Sequence, residues 1–134
     1  MTSKVVYLEN LRTQIEHLAS GQKSITDAPV DNNGKGEAFS PTDLLATSLA
    51  SCMLTVVGIK AQKLSLNING SYAQVLKTME SDPRRVSSVD IQVVFKGTLS
   101  QGEKSLFQQI AINCPVAKSL HPNIIQNVSF SFEN

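Results

Sequence analysis

The chain predicts an α+β fold, a largely antiparallel sheet packed around one long central helix, and two patterns carry that prediction. Val89, Ile91, Val93 and Phe95 alternate with polar neighbours, as do Val128, Phe130 and Phe132, which is the period of half-buried strands. Between the N-terminal region and these runs, residues 40–63 are apolar almost all round through Ile59, which is the mark of a helix covered on most sides by sheet or by a partner subunit. With 134 residues and 41% hydrophobic content, the chain suits a single domain, residues 1–134, around one core.

Taken in order, Val5 to Ala19 alternates imperfectly, and Ser20-Gly21-Gln22 turns it back into Ser24-Ile25-Thr26, an N-terminal hairpin carrying Arg12 and His17 on its first strand. Asp27 to Glu37 is dense in Gly, Asn, Asp and Pro and reads as an exposed loop. The central helix starts with Ser40 as N-cap, Pro41 at the first helical position, and Asp43 completing a capping-box-like start. A strand is expected from Leu66 through Tyr72 to Leu76. The polar turn Ser81–Arg85 then leads into the Val89–Phe95 strand. Gln101 to Ile112 has helical spacing, and Asn113 is the expected cap of a short helix with Pro115 in its first turn, ended by His121-Pro122. Ile124 to Phe132 closes the order β-β-α-β-β-α-α-β.

Composition excludes some functions. Twelve Lys and Arg against eleven Asp and Glu leave a net charge of +1, too weak a field for a nucleic-acid backbone, and 5% aromatic content without Trp offers no stacking platform. The N-terminus turns polar before a signal-peptide core forms, and no stretch is read as a membrane span, so the expectation is a cytoplasmic protein.

The chemistry centres on two cysteines. Cys52 lies mid-helix among apolar neighbours, and Cys114 immediately precedes a proline in Asn113-Cys114-Pro115-Val116-Ala117. Neither belongs to a CxxC motif, so any partnership is made by the fold. In a reducing compartment such a pair points to catalysis, redox sensing or metal binding, with two inert packing cysteines as the alternative. Local physics favours Cys114 as the activated thiol, since the start of a helix lowers a thiol's pKa while an apolar mid-helix site raises it. His17 and His121 read as surface or edge residues lacking third and fourth ligands, and Arg84 and Arg85 as a solvated turn. Gly34-Lys35-Gly36 lacks the spacing of a phosphate loop.

The segment Gly36–Cys52, with its Ser40-Pro41-Thr42-Asp43-Leu44-Leu45 start, together with Asn113-Cys114-Pro115-Val116-Ala117, resembles the OsmC-like proteins, which include organic hydroperoxide resistance proteins. The resemblance implies a swapped α+β homodimer with active sites at the subunit interface. It also implies that Cys52 attacks an organic hydroperoxide and Cys114 closes the disulfide, so that an external dithiol reductant but no metal or organic cofactor is required. An arginine is expected to meet the thiolate, and Arg12 is the candidate, since residues 27–39 contain none. Where peroxidase members carry a glutamate after the helix-initial proline, this chain has Thr42. That departure motivates a second reading: a non-catalytic protein of the same fold that binds a small ligand or senses redox state.

Overall fold

The computed structural model describes residues 1–134, which divide into two compact units, 1–45 and 46–134. The first unit holds three strands, β1 (Ser3–Tyr7), β2 (Arg12–His17) and β3 (Lys23–Asp27), paired antiparallel in the order β1-β2-β3. The expected hairpin is therefore a meander, with Arg12 and His17 on the second strand instead of the first. The additional turn escapes a sequence reading because no glycine or proline marks it. Asn10 and Leu11 make it at φ 55° and 61°, a left-handed conformation that Asn tolerates and Leu rarely adopts.

The loop after β3 contains a single 3₁₀ turn at Val30–Asn32 and folds back on itself. Gly34 N–H donates to the Pro29 carbonyl at 2.9 Å and Gly36 N–H to the Ala28 carbonyl at 3.1 Å. A Cβ on Gly34 would sit 1.8 Å from the Ala28 carbonyl oxygen, so only glycine allows this backbone contact. The glycines of Gly34-Lys35-Gly36 thus close a loop. At its end, Ser40 N–H donates to Asp43 Oδ2 at 2.9 Å and Asp43 N–H to Ser40 Oγ at 3.0 Å, the reciprocal cap that the sequence predicts for helix α1 (Pro41–Lys63).

From Ala46 onward α1 belongs to the second unit. Ala46, Leu49, Ala50, Met53, Val57 and Ala61, spaced by three and four, form its buried stripe. The helix is 23 residues long with a mean hydropathy of 1.7 over 18 of them, so by length and composition alone it would pass for a membrane span, contrary to the sequence expectation. Its buried stripe makes it the core helix of this unit.

The strand expected from Leu66 begins later, as β4 (Tyr72–Glu80). Residues 66–71 turn instead, with Gly70 at φ 86° and Ser71 N–H donating to the Ile68 carbonyl. Leu66 and Ile68 alternate because both pack on the core. β5 (Arg85–Lys96) pairs antiparallel with β4, and helices α2 (Gln101–Ile112) and α3 (Pro115–Ser119) lead to β6 (Ile125–Glu133). β6 pairs with β5 in parallel, the exception in otherwise antiparallel sheets; a parallel return needs a crossover, and α2 and α3 supply it. Ser100 caps α2 with a full capping box to Glu103, a Ser-x-x-Glu signal already present in the sequence. Asn113 closes α2, and Cys114 itself is the N-cap of α3.

Phe95 is the hub of this core. Its ring meets Phe107 edge-on at 5.7 Å and stacks near Phe130 and Phe132 at 6.1 and 5.8 Å. Because Phe95 is fully buried, Phe95→Ala is expected to cost about 3–5 kcal/mol in chemical denaturation. A loss under 1 kcal/mol would show that the ring is not a structural hub.

Candidate thiol and guanidinium sites

The fold brings the two cysteines together. Cys52 lies on α1 at the margin of the buried stripe, between Leu49 and Met53, and is half-buried; Cys114, 1% exposed, belongs to the same core cluster. Both thiols are free. Cys114 Sγ accepts a hydrogen bond from Ala117 N–H at 3.5 Å, the expected interaction with the first turn of α3. That interaction lowers the Cys114 pKa, but burial outweighs it and pushes the thiol above the ordinary value of 9.0. The neighbouring Cys52 side chain pushes it further the same way, by hydrogen bonding and by charge. The expectation of an activated Cys114 is thus reversed, because the helix start is real but lies inside an apolar core.

In the first unit, Arg12 opens β2 directly across from Asp27, the last residue of β3. Its Nε donates to Asp27 Oδ1 at 2.7 Å and its Nη2 to Asp27 Oδ2 at 2.8 Å, a bidentate fork. Glu37 N–H adds a third donor to Asp27 Oδ2 at 3.1 Å, and Glu37 Oε1 accepts from Nη2 at 3.4 Å. Asp27 is 1% exposed, yet the hydrogen bond from Arg12 outweighs burial and holds its carboxyl below the ordinary 3.8. The same bond raises the Arg12 pKa. The carboxylates that meet Arg12 within this unit are therefore Asp27 and Glu37. Thr42 lies in the first turn of α1, its Oγ1 3.2 Å from Ser40 Oγ. Sequence reasoning missed Asp27 because the Arg12–Asp27 facing pair exists only once the β2–β3 register is set.

The other sequence candidates have local roles. His17 Nδ1 is 2.7 Å from Ser20 Oγ at the β2–β3 turn, and His121 Nδ1 accepts from Asn123 N–H at 3.0 Å. No group of three or more His, Cys, Asp or Glu side chains gathers as a metal site. Arg85 pairs with Glu80 across the β4–β5 turn. A depression of about 740 Å³ on the sheet of the second unit, lined by Gln74, Leu76, Asp90, Gln92, Asn127 and Ser129 among others, includes neither cysteine.

The model of the OsmC-like protein family matches residues 34–129. A crystal structure from Psychrobacter arcticus 273-4, provisionally named an osmotic stress induced and detoxification response protein, is 56% identical, with 98% of this chain and 96% of that one covered and a TM-score of 0.94. An OsmC-like protein from Mycoplasma pneumoniae (17% identity, 98% and 96% covered, TM-score 0.81) shares the fold. So does an organic hydroperoxide resistance protein from Legionella pneumophila (18% identity, 98% and 97% covered, TM-score 0.71). No curated protein matches the chain.

Two pH dependences follow from these environments. A raised Cys114 pKa gives a folded-state preference for the thiol that is complete below pH 9.0 and is lost as pH rises through the folded value. Melting temperature should therefore fall on the alkaline side, and Cys114→Ser should flatten that fall; an unchanged alkaline limb would refute it. Asp27 has the opposite sign: its contribution is present above pH 3.8 and is lost as pH drops through the depressed folded value. The stability gap between the parent chain and Asp27→Asn should thus be open at neutral pH and close in acid. A gap that stays constant with pH would contradict the assignment.

Proposed function

The chain belongs to the OsmC-like protein family, and from that premise we propose that it is a thiol-dependent reductase of organic hydroperoxides in which Cys52 attacks and Cys114 resolves. The observation that carries this reading is the ordering of the two neighbouring thiols, one half-buried and one sealed in the core. A substrate arriving from solvent meets Cys52 first. Cys114, kept protonated by burial, is held against it for the second step.

The cycle balances with one co-substrate. The Cys52 thiolate attacks the terminal oxygen of the hydroperoxide. The S–O bond forms as the O–O bond breaks, and the departing alkoxide takes a proton to become the alcohol. Cys52 is then a sulfenic acid. Cys114 gives up its proton and attacks the Cys52 sulfur, closing a disulfide and expelling the hydroxyl as water. An external dithiol returns both cysteines to thiols and leaves as its own disulfide.

The proposed role of Arg12 is to stabilise the Cys52 thiolate by its positive charge, within a homodimer working in the cytoplasm. Leu49, Met53 and Val56 flank Cys52 on α1 and belong to or pack against the core. Apolar surroundings favour an alkyl hydroperoxide over hydrogen peroxide, by about 0.8 kcal/mol per buried CH₂.

Consumption of cumene hydroperoxide with a dithiol reductant tests the reading. Wild type should turn over, Cys52→Ser should fall to background, and Cys114→Ser should give roughly one oxidation per chain before stalling, with the sulfenic acid trapped by dimedone. Wild-type turnover no faster than that of Cys52→Ser would leave a non-catalytic protein of the same fold.

A further inference from the structure

The dipeptide Asn-Gly occurs twice, at Asn33-Gly34 and at Asn69-Gly70, and the fold treats the two copies differently. Asparagine is a chemically labile side chain, and a following glycine, having no Cβ, leaves its backbone nitrogen open to the side-chain amide carbon. Reaction then needs two things: a nitrogen with no other partner, and a peptide free to rotate toward the side chain.

At the first copy neither condition holds. Gly34 N–H is engaged by the Pro29 carbonyl at 2.9 Å. The Gly34 backbone also lies so close to the Ala28 carbonyl that no Cβ fits, and Gly36 N–H ties the far side of the loop to that same carbonyl. At the second copy both conditions hold. Asn69 and Gly70 are exposed and lie outside every helix and strand. Their flanks are anchored: Asn69 N–H donates to Asn67 Oδ1 at 2.9 Å, and Ser71 donates to the Ile68 carbonyl through both its N–H, at 3.0 Å, and its hydroxyl, at 2.6 Å. Ser71 Oγ in turn accepts from Lys96 N–H at 2.8 Å, fastening the turn to the end of β5. Between these anchors the Asn69–Gly70 peptide uses neither its N–H nor its carbonyl in a hydrogen bond, and the Asn69 side-chain amide is equally unengaged.

We propose that Asn69 is a site of spontaneous covalent modification, deamidation through a cyclic imide, and that Asn33 is its protected twin. The Gly70 nitrogen loses its proton and attacks Asn69 Cγ. The N–Cγ bond forms, the Cγ–Nδ2 bond breaks, and the amide nitrogen leaves as ammonia. Water then opens the ring. Attack at the side-chain carbonyl gives aspartate, and attack at the main-chain carbonyl gives isoaspartate, in which the chain continues through Cγ. Nothing is oxidised or reduced; one water enters for each ammonia lost. Either product places a new negative charge in the turn, and isoaspartate also lengthens the backbone by one atom between the anchored Ile68 and Ser71.

The test incubates the full folded chain in mildly alkaline buffer with a dithiol present and follows it by tryptic mass mapping. The two copies fall in separate peptides, residues 24–35 and 64–77. The 64–77 peptide should acquire the amide-to-acid mass gain about tenfold faster than the 24–35 peptide, because reaction at Asn33 requires the loop to open first. In urea, where both peptides are unfolded, the two rates should become comparable. Asn69→Gln should abolish the gain in 64–77, since the longer side chain does not close the five-membered ring, and isoaspartate should accompany aspartate in the parent product. The proposal is overturned if the folded chain modifies Asn33 as fast as Asn69, or if the tenfold difference survives in urea. It is overturned equally by a gain in 64–77 that persists in Asn69→Gln, which would assign it to Asn67, or by a product containing aspartate alone.

Discussion

Burial of the Ala46–Ala61 stripe of α1 is the constraint from which the placement of the two thiols follows. A helix that is apolar on nearly every side has no intrinsic preference for which face to bury. The choice is made by its small residues: Ala46, Ala50 and Ala61 permit close approach, while Leu49, Met53 and Val57 fill the space between them. Once that face is committed, residue 52 is turned to its margin. A rotation of one residue would seal Cys52 in the core or place it fully in solvent. Phe95, Phe107 and Cys114 close the same core, so the packing that orients the helix also delivers the second sulfur.

The two thiols illustrate how burial competes with a helix terminus. Cys114 receives the N–H of Ala117, yet its pKa moves upward because the surrounding core penalises a thiolate more than the backbone donors of Ala117 and Val116 reward it. Asp27 shows the reverse balance, where a bidentate guanidinium and a backbone N–H outweigh an equally complete burial. The difference lies in the partner: a full charge in fork geometry against a long hydrogen bond to sulfur.

Much of this was legible from residues alone, for reasons that differ by element. The start of α1 was readable because Ser40, Pro41 and Asp43 each have a distinct cap preference, and β5 and β6 because alternation survives in half-buried strands. The β1–β2 turn was not readable, since Asn10 and Leu11 make it without glycine. Leu66 and Ile68 mimicked a strand because a turn that packs on a core can alternate too. Of the two candidate sites, both cysteines and Arg12 stood out as residue types, but Asp27 did not. Its meaning depends on strand register, which no local window contains.

The parallel pairing of β6 with β5 also makes the sheet depend on a contact distant in sequence. The antiparallel β4–β5 hairpin joins neighbours in sequence, whereas β6 reaches β5 only across the segment that holds α2 and α3. Cys114 sits inside that crossover, at the junction of its two helices. Cys52 thus lies on a helix whose backbone bonds are local, whereas Cys114 lies in the segment that spans a non-local pairing. From β6, Val128, Phe130 and Phe132 pack on the core that encloses Cys114. The seal around the second sulfur is therefore a property of the whole crossover and its returning strand, not of the short helix that the cysteine caps.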